Sequence, residues 1–165
     1  MDILDTIITR RSIRAYNNQI PEDSQIENIL DAGRWAPSGL NNQPWRFMVI
    51  KDKTRKDGLA RFSEYGGIIE SAPMVLLVFM DKNTSYNRDK DLMAIGASIQ
   101  NMLLYAHSQG LAACWLGEIL NKKVEVSKFL KLSSNLELAA VVAYGYCDEG
   151  VKEGKRKMLK DLLIK

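Results

Sequence analysis

Apolar positions along the chain repeat with two different periods, and the stretches governed by each lay out a protein of mixed α and β structure. Ile3, Leu4, Ile7 and Ile8 share one face of a short helix over residues 2–10, with Asp2 placed as its N-cap. Pro21 opens a second helix running to about Trp35, with Ile26, Ile29, Leu30 and Gly33 or Arg34 along its apolar edge. Residues 45–50 read as a strand, and residues 54–62 as a weakly amphipathic helix. Gly66-Gly67 breaks the pattern. Residues 74–80 form an unbroken apolar run whose length and valine content suit a strand buried on both faces. Residues 88–109 hold the longest helical pattern, with Leu92, Ile95, Ile99, Met102, Leu103 and Ala106 recurring at steps of three and four. Such a helix is roughly 30 Å long. Its small residues Ala94, Gly96, Ala97 and Ser98 allow another backbone to approach closely. Gly110 is placed to close it as a C′ glycine. Residues 111–117 read as a short strand entering a turn, Asn121 caps a helix to about Leu130, and residues 136–144 form another buried strand. No repeat or low-complexity segment interrupts this order.

The chain has 165 residues, 46% of them hydrophobic and 26% charged, with a net charge of +3. That balance fits one domain spanning 1–165, and argues against a broad phosphate-tracking face for nucleic acid. No apolar run of 18 residues is present, so no membrane span is expected. Cys114 and Cys147 sit in apolar segments without metal spacing and read as buried thiols of a reducing cytoplasm. The acidic start Met1–Asp5 lacks a leader's basic and long apolar regions, so a cytoplasmic location is expected. Asn83-Thr84-Ser85 fits a glycosylation sequon and, without secretion, reads as a turn.

Two polar stretches carry the candidate chemistry. Between the second helix and the first strand lies Ala36-Pro37-Ser38-Gly39-Leu40-Asn41-Asn42-Gln43-Pro44-Trp45. Proline, glycine, serine and asparagine at this density make a turn-rich loop of fixed shape. Read blandly it is an αβ connection. Its amides and hydroxyl also donate and accept without charge, which suits the edge of a flat polar heterocycle. Trp35 and Trp45 can anchor it on a core. The other stretch is Arg10-Arg11-Ser12-Ile13-Arg14, which reads as either a solvated basic helix end or a cradle for an anion.

Together these stretches resemble the signature of the FMN-dependent nitroreductase family, and the resemblance runs from about residue 2 to about residue 160. It implies that Arg10 and Ser12 bind the FMN phosphate, with Arg11 in the same motif and Arg14 nearer the pyrimidine side of the ring. Pro37, Ser38, Gly39, Leu40, Asn41 and Gln43 would meet the flavin from the other subunit of a homodimer. The segment Gly110-Leu111…Trp115-Leu116-Gly117 matches the family's Gly-Leu…Trp-(Leu/Ile)-Gly, so Leu116 and Gly117 would be main-chain contacts at the reactive edge. Of the basic tail, which includes Lys152, Lys157, Lys160 and Lys165, the resemblance assigns Lys155 and Arg156 to the phosphate, with Lys157 an alternative to Lys155. The implied fold is α+β, a mixed central sheet flanked by helices with the long helix at the dimer interface. Some relatives carry a lysine near the flavin pyrimidine where this chain has Gly66-Gly67-Ile68. Asp81–Asn87 is also short, as in a minimal member of the family.

Other chemistries lack their residues. There is no Gly-x-Gly-x-x-Gly and no Cys-x-x-Cys, and Gly150 to Lys155 falls one residue short of a P-loop. The only histidine, His107, lies within the long helix and reads as structural. No metal is expected. Anion and amide groups without a nucleophile–base pair fit chemistry supplied by a cofactor. The resemblance implies an enzyme: ping-pong hydride transfer from NAD(P)H through non-covalent FMN to a nitroaromatic, quinone or similar small acceptor, with no catalytic side chain. The alternatives are a flavin-binding carrier, or reductive dehalogenation or flavin fragmentation on the same fold.

Overall fold

The computed structural model describes residues 2–148 and 153–164. Lys152 and Lys165 of the basic tail, and Gly150 of the near-P-loop, lie outside them. The helices and strands follow one another as α1 (Ile3–Thr9), α2 (Asp23–Arg34), β1 (Trp45–Ile50), α3 (Lys53–Ala60), α4 (Gly66–Ser71), β2 (Met74–Asp81), α5 (Arg88–Ser108), β3 (Ala112–Leu116), α6 (Lys123–Phe129) and β4 (Leu136–Gly145). The strands form one sheet in the order β1-β2-β4-β3, and every neighbouring pair is antiparallel. The parallel component of the sheet is a single bridge between Ser12 and Ala113.

Strand β2 is buried along its whole length, as an apolar run without alternation requires. Met74, Leu76, Val78 and Met80 face α2 and α5, packing with Ile29, Ile95, Ile99 and Met102. Val75, Leu77 and Phe79 face α3, α4 and α6, packing with Leu59, Ile69 and Val126. Each fully buried aliphatic side chain of this kind contributes ~1.5–3 kcal/mol before chain entropy is counted. In β4 the pairing shifts between Val78 opposite Ala140 and Phe79 opposite Leu138, leaving Ala139 as a bulge residue. The bulge changes parity. Ala140, Val142 and Tyr144 point to the α5 side, whereas Leu138 joins the α6 side.

Helix α5 buries Ala94, Ile95, Ser98, Ile99, Met102, Leu103 and Ala106 as one stripe. Helix α2 lies close on it, because a Cβ at Gly33 would fall 2.7 Å from Met102 Cγ. Its end forms a Schellman closure: the N–H of Gly110, at φ +77°, donates to His107, and that of Leu111 donates to Ala106.

Four local expectations are corrected. Pro21 lies one residue ahead of the α2 N-cap, which is Glu22, reciprocally bonded with Gln25 in a capping box. Gly66-Gly67 does not interrupt structure; it begins α4. Tertiary contacts outweigh glycine's poor helix propensity there: Ile69 is fully buried, and the buried Lys56 ammonium donates to the Ala72 carbonyl beyond the helix end. Asn121 does not cap α6; it sits in a 3-10 turn over Glu118–Lys122, and α6 starts without a side-chain cap. Cys147 is half-buried, whereas Cys114 is buried as expected.

Glu137 joins the start of β4 to α5 and α6, accepting from Arg88 Nη2 at 2.8 Å and Lys123 Nζ at 2.7 Å. The Arg88 hydrogen bond leads in lowering its pKa and Lys123 adds to it, against an opposing effect of burial; the carboxyl titrates at about 2 instead of 4.5. A depressed folded pKa gives stability that is complete above the unfolded value and lost as pH falls through the folded one. Wild type should therefore lose its advantage over Glu137→Gln between about pH 4.5 and about pH 2. Denaturant unfolding of both proteins across that window checks this; a stability difference independent of pH contradicts it.

Candidate functional site

After α1 the chain turns at Arg10 and runs extended along the outer edge of β3. Ser12 bridges Ala113, and the Ile13 N–H donates to the Ala113 carbonyl at 2.9 Å. This track sets Arg10, Ser12 and Arg14 beside the strand that ends in Leu116-Gly117. Arg14, Leu116 and Gly117 line one cavity of about 180 Å³, with Tyr65 and Glu118 as further walls. A Cβ at Gly117 would meet nothing within 4 Å, so the backbone there borders open space that a side chain would fill.

The tail returns to this place. Arg11 Nη1 donates to the carbonyls of Ile8 and Arg10 at 2.6 and 2.8 Å, closing the end of α1. Gly154 packs on the Arg11 guanidinium so closely that a Cβ would fall 2.5 Å from its Cζ. The Arg10 pKa is lowered, first by burial and then by the positive charges of Arg156 and Arg11. Among the described residues, no carboxylate forms an ion pair with Arg10, Arg14 or Arg156. Like charges gathered without a counter-ion are costly, and an anion would relieve them. Lys155 and Lys157 are exposed on the same segment, and the Lys155 carbonyl accepts from Arg156 at 2.8 Å.

The neighbouring titratable groups offer no nucleophile or base. Burial pushes the Cys114 thiol up, with Arg14 and Arg10 only partly opposing it. His107 shares a 2.8 Å hydrogen bond with Thr9 Oγ1 where α1 meets α5. Burial, then Arg10 and Arg11, lower its pKa and so favour the neutral imidazole. Among the described residues no cluster of His, Cys, Asp and Glu could hold a metal.

The amide loop lies elsewhere. Leu40, Asn41 and Gln43 all adopt positive φ, at 56°, 53° and 46°. Backbone of that kind costs roughly 1–3 kcal/mol per residue and persists where surrounding contacts impose it. Asn42, which lies among those residues, is tied to Asp91, fully buried at the start of α5. Its carboxylate accepts from Asn42 Nδ2 at 2.8 Å, Ser85 Oγ at 2.6 Å, and the N–H groups of Tyr86 and Asn87 at 3.1 and 3.2 Å. Burial raises its pKa, but these hydrogen bonds outweigh burial and hold it below the ordinary value. Ser38 Oγ accepts from the Gln43 N–H at 3.0 Å, and Gly39 packs on the Tyr86 hydroxyl. The loop thus presents Pro37, Leu40, Asn41 and Gln43 outward, Leu40 being 85% exposed.

One chain therefore does not bring the two stretches together. Asp91 holds the loop at one end of α5, and His107 meets the arginine segment near the other. The rise between those residues is roughly 24 Å. Trp45 is buried and anchors the loop, but Trp35 does not. It is 70% exposed and stacked by the Arg34 guanidinium at 5.1 Å, because it falls off the Ile26–Ile29–Gly33 stripe of α2. Asp91, Tyr65 and Glu118 are not singled out by the sequence pattern, and Asn42 enters it only as one amide of the loop. Asp91 did carry a signal: it is a carboxylate in register with the stripe that continues through Ile95 and Ile99.

Comparison with known proteins agrees with this architecture. The family model described as "Nitroreductase family" matches residues 7–65 and 63–146. A protein of Desulfovibrio desulfuricans, described as a nitroreductase and solved in complex with FMN, is 44% identical; the match covers 99% of this chain and 95% of that one, with a TM-score of 0.95. Proteins of Archaeoglobus fulgidus and Methanothermobacter thermautotrophicus, both provisionally named NADH dehydrogenase/NAD(P)H nitroreductase, are 32% and 31% identical over 88% of this chain and over 85% and 78% of their own lengths. The chain belongs to the nitroreductase family.

Asp91→Ala should leave Asn42 and Ser85 without their buried acceptor and lower stability by about 3 kcal/mol. Chemical denaturation measures the loss, and a change under about 1 kcal/mol would show that the loop holds its shape without this carboxylate.

Proposed function

We propose that the chain is an FMN-dependent oxidoreductase that takes electrons from NAD(P)H and passes them to a small acceptor such as a nitroaromatic or quinone. The observation that carries this reading is the set of arginines without an ion-paired carboxylate among the described residues, Arg10, Arg14 and Arg156, beside the open Gly117 edge of β3. That donor set fits FMN. Arg10, Ser12 and Arg156, with Arg11 and Lys155 or Lys157 close by, would hold the phosphate, for which guanidinium forks are well matched. Arg14 would keep a positive charge where the reduced ring is negative, and the Leu116-Gly117 backbone would border the ring. FMN, when bound, supplies hydride exchange; the side chains supply position and charge, and no acid or base is required of them. Family membership, the FMN in the Desulfovibrio structure and the nicotinamide donors in the archaeal names support the cofactor and the donor.

The site would be completed by a second copy. A cavity of about 180 Å³ is a fraction of what a flavin needs, and the loop that would meet the ring lies at the far end of α5. A homodimer that sets the loop of one subunit against the arginines of its partner resolves both facts. Uncovered apolar residues support it. Ile3, Leu4, Ile7 and Ile8 of α1 are all exposed in the single chain, as are Met93 of α5 and Leu162, Leu163 and Ile164 of the tail.

The test begins with the visible spectrum of protein loaded with FMN and desalted, then mixed with NADH or NADPH without oxygen. Retained flavin that bleaches is the expected result. Retained flavin that neither donor bleaches would indicate a carrier, and no retained flavin would remove the reading. Arg10→Ala should weaken FMN binding by at least about tenfold, the worth of one charged hydrogen bond. Asn41→Ala should shift the flavin spectrum or potential with the fold intact. Wild-type affinity and spectrum in both variants would show that these residues do not form the site.

A further inference from the structure

A cleft between α6 and the start of β4 shares no residue with the site described above. It encloses about 400 Å³, a volume in the range of small-molecule sites. Its lining is of two kinds: the apolar Val124, Leu132, Leu136 and Leu138, and the basic Lys82, Lys123, Lys128 and Lys131. The carboxylate in its lining, Glu137, is already shared between Arg88 and Lys123. Lys82 Nζ donates to the neutral Ser134 carbonyl at 3.0 Å and forms no ion pair among the described residues. Among the described residues, neither Lys128 nor Lys131 pairs with a carboxylate.

Backbone geometry adds an independent observation. Lys131 follows the last turn of α6 at φ +53°, in the left-handed region that favours glycine. Its N–H and that of Leu132 close the helix on the carbonyls of Lys128 and Ser127 at 3.1 and 3.0 Å. Glycine would make this closure at lower conformational cost. The chain instead carries a lysine there, and that residue is part of the cleft's lining.

We propose that this cleft is a second ligand site, for a small organic anion with an apolar body, such as an alkyl or aryl chain ending in one acidic group. The acidic head sits among Lys82, Lys128 and Lys131, and the body lies on Leu132, Leu136 and Leu138. The site stands on its own residues and does not depend on the flavin reading.

Anilinonaphthalene sulfonate, an aryl body with one sulfonate, is a suitable probe, titrated calorimetrically into the wild-type chain in excess FMN. One saturable site per chain is expected, displaced by octanoate and not by octanol. Lys128→Glu and Lys131→Glu should each weaken it by at least about tenfold, and Arg61→Glu, an exposed cation outside the cleft, should leave it unchanged. Lys131→Gly separates lost charge from lost fold: binding should weaken while the melting temperature stays level or rises. Unchanged affinity in both charge reversals overturns the proposal, as does a probe displaced by NADH or menadione rather than by octanoate.

Discussion

The length of α5 is the constraint around which the molecule is arranged. A helix of 21 residues spans the whole domain, and its two ends carry different chemistry. At the N-terminal end, the buried Asp91 carboxylate gathers the amide loop through Asn42 and the Ser85–Asn87 turn. Near the other end, His107 meets Thr9 and the arginine segment begins. The stripe between them is fixed to the sheet through Ile95, Ile99 and Met102, so neither end can move toward the other without breaking the core.

Charge is handled in opposite ways at these two ends. Asp91 is a carboxylate with no ion pair among the described residues, held by four donors that each return part of the lost hydration. Arg10, Arg14 and Arg156 are the reverse: cations, Arg10 among them partly desolvated, with no ion-paired carboxylate among the described residues. The first arrangement is complete within the chain and gives rigidity. The second is incomplete within the chain, and that imbalance is what recommends it as a place for an anion.

Much of this was legible in the sequence, for reasons that differ by element. Strand β2 and helix α5 follow directly from apolar period, since burial on two faces or on one stripe leaves few alternatives. The arginine track and the amide loop were legible as chemistry, because their residue types are unusual at that density. What stayed hidden depends on contacts between distant segments. Nothing local at Gly66-Gly67 announces that Ile69 and Lys56 will hold a helix there. Nothing near Ala139 announces a bulge, which shows only in the pairing of β4 with β2. Asp91 is the instructive case: three of its donors are its near neighbours Ser85, Tyr86 and Asn87, but the one that ties it to the amide loop, Asn42, lies 49 residues earlier. The sheet order likewise came from pairing between strands that the periodicity treats one at a time.

The distance between the amide loop and the arginine track also has a genetic consequence for the proposed dimer. In a dimer that joins the loop of one copy to the arginines of the other, damage to either half disables a site without regard to which copy bears it. A chain defective only in the Arg10–Arg14 track and a chain defective only in the Pro37–Gln43 loop would, when paired, place both defects in one site and leave the other site whole. Two inactive alleles of that kind would complement each other in a single cell, whereas two alleles damaged in the same half would not.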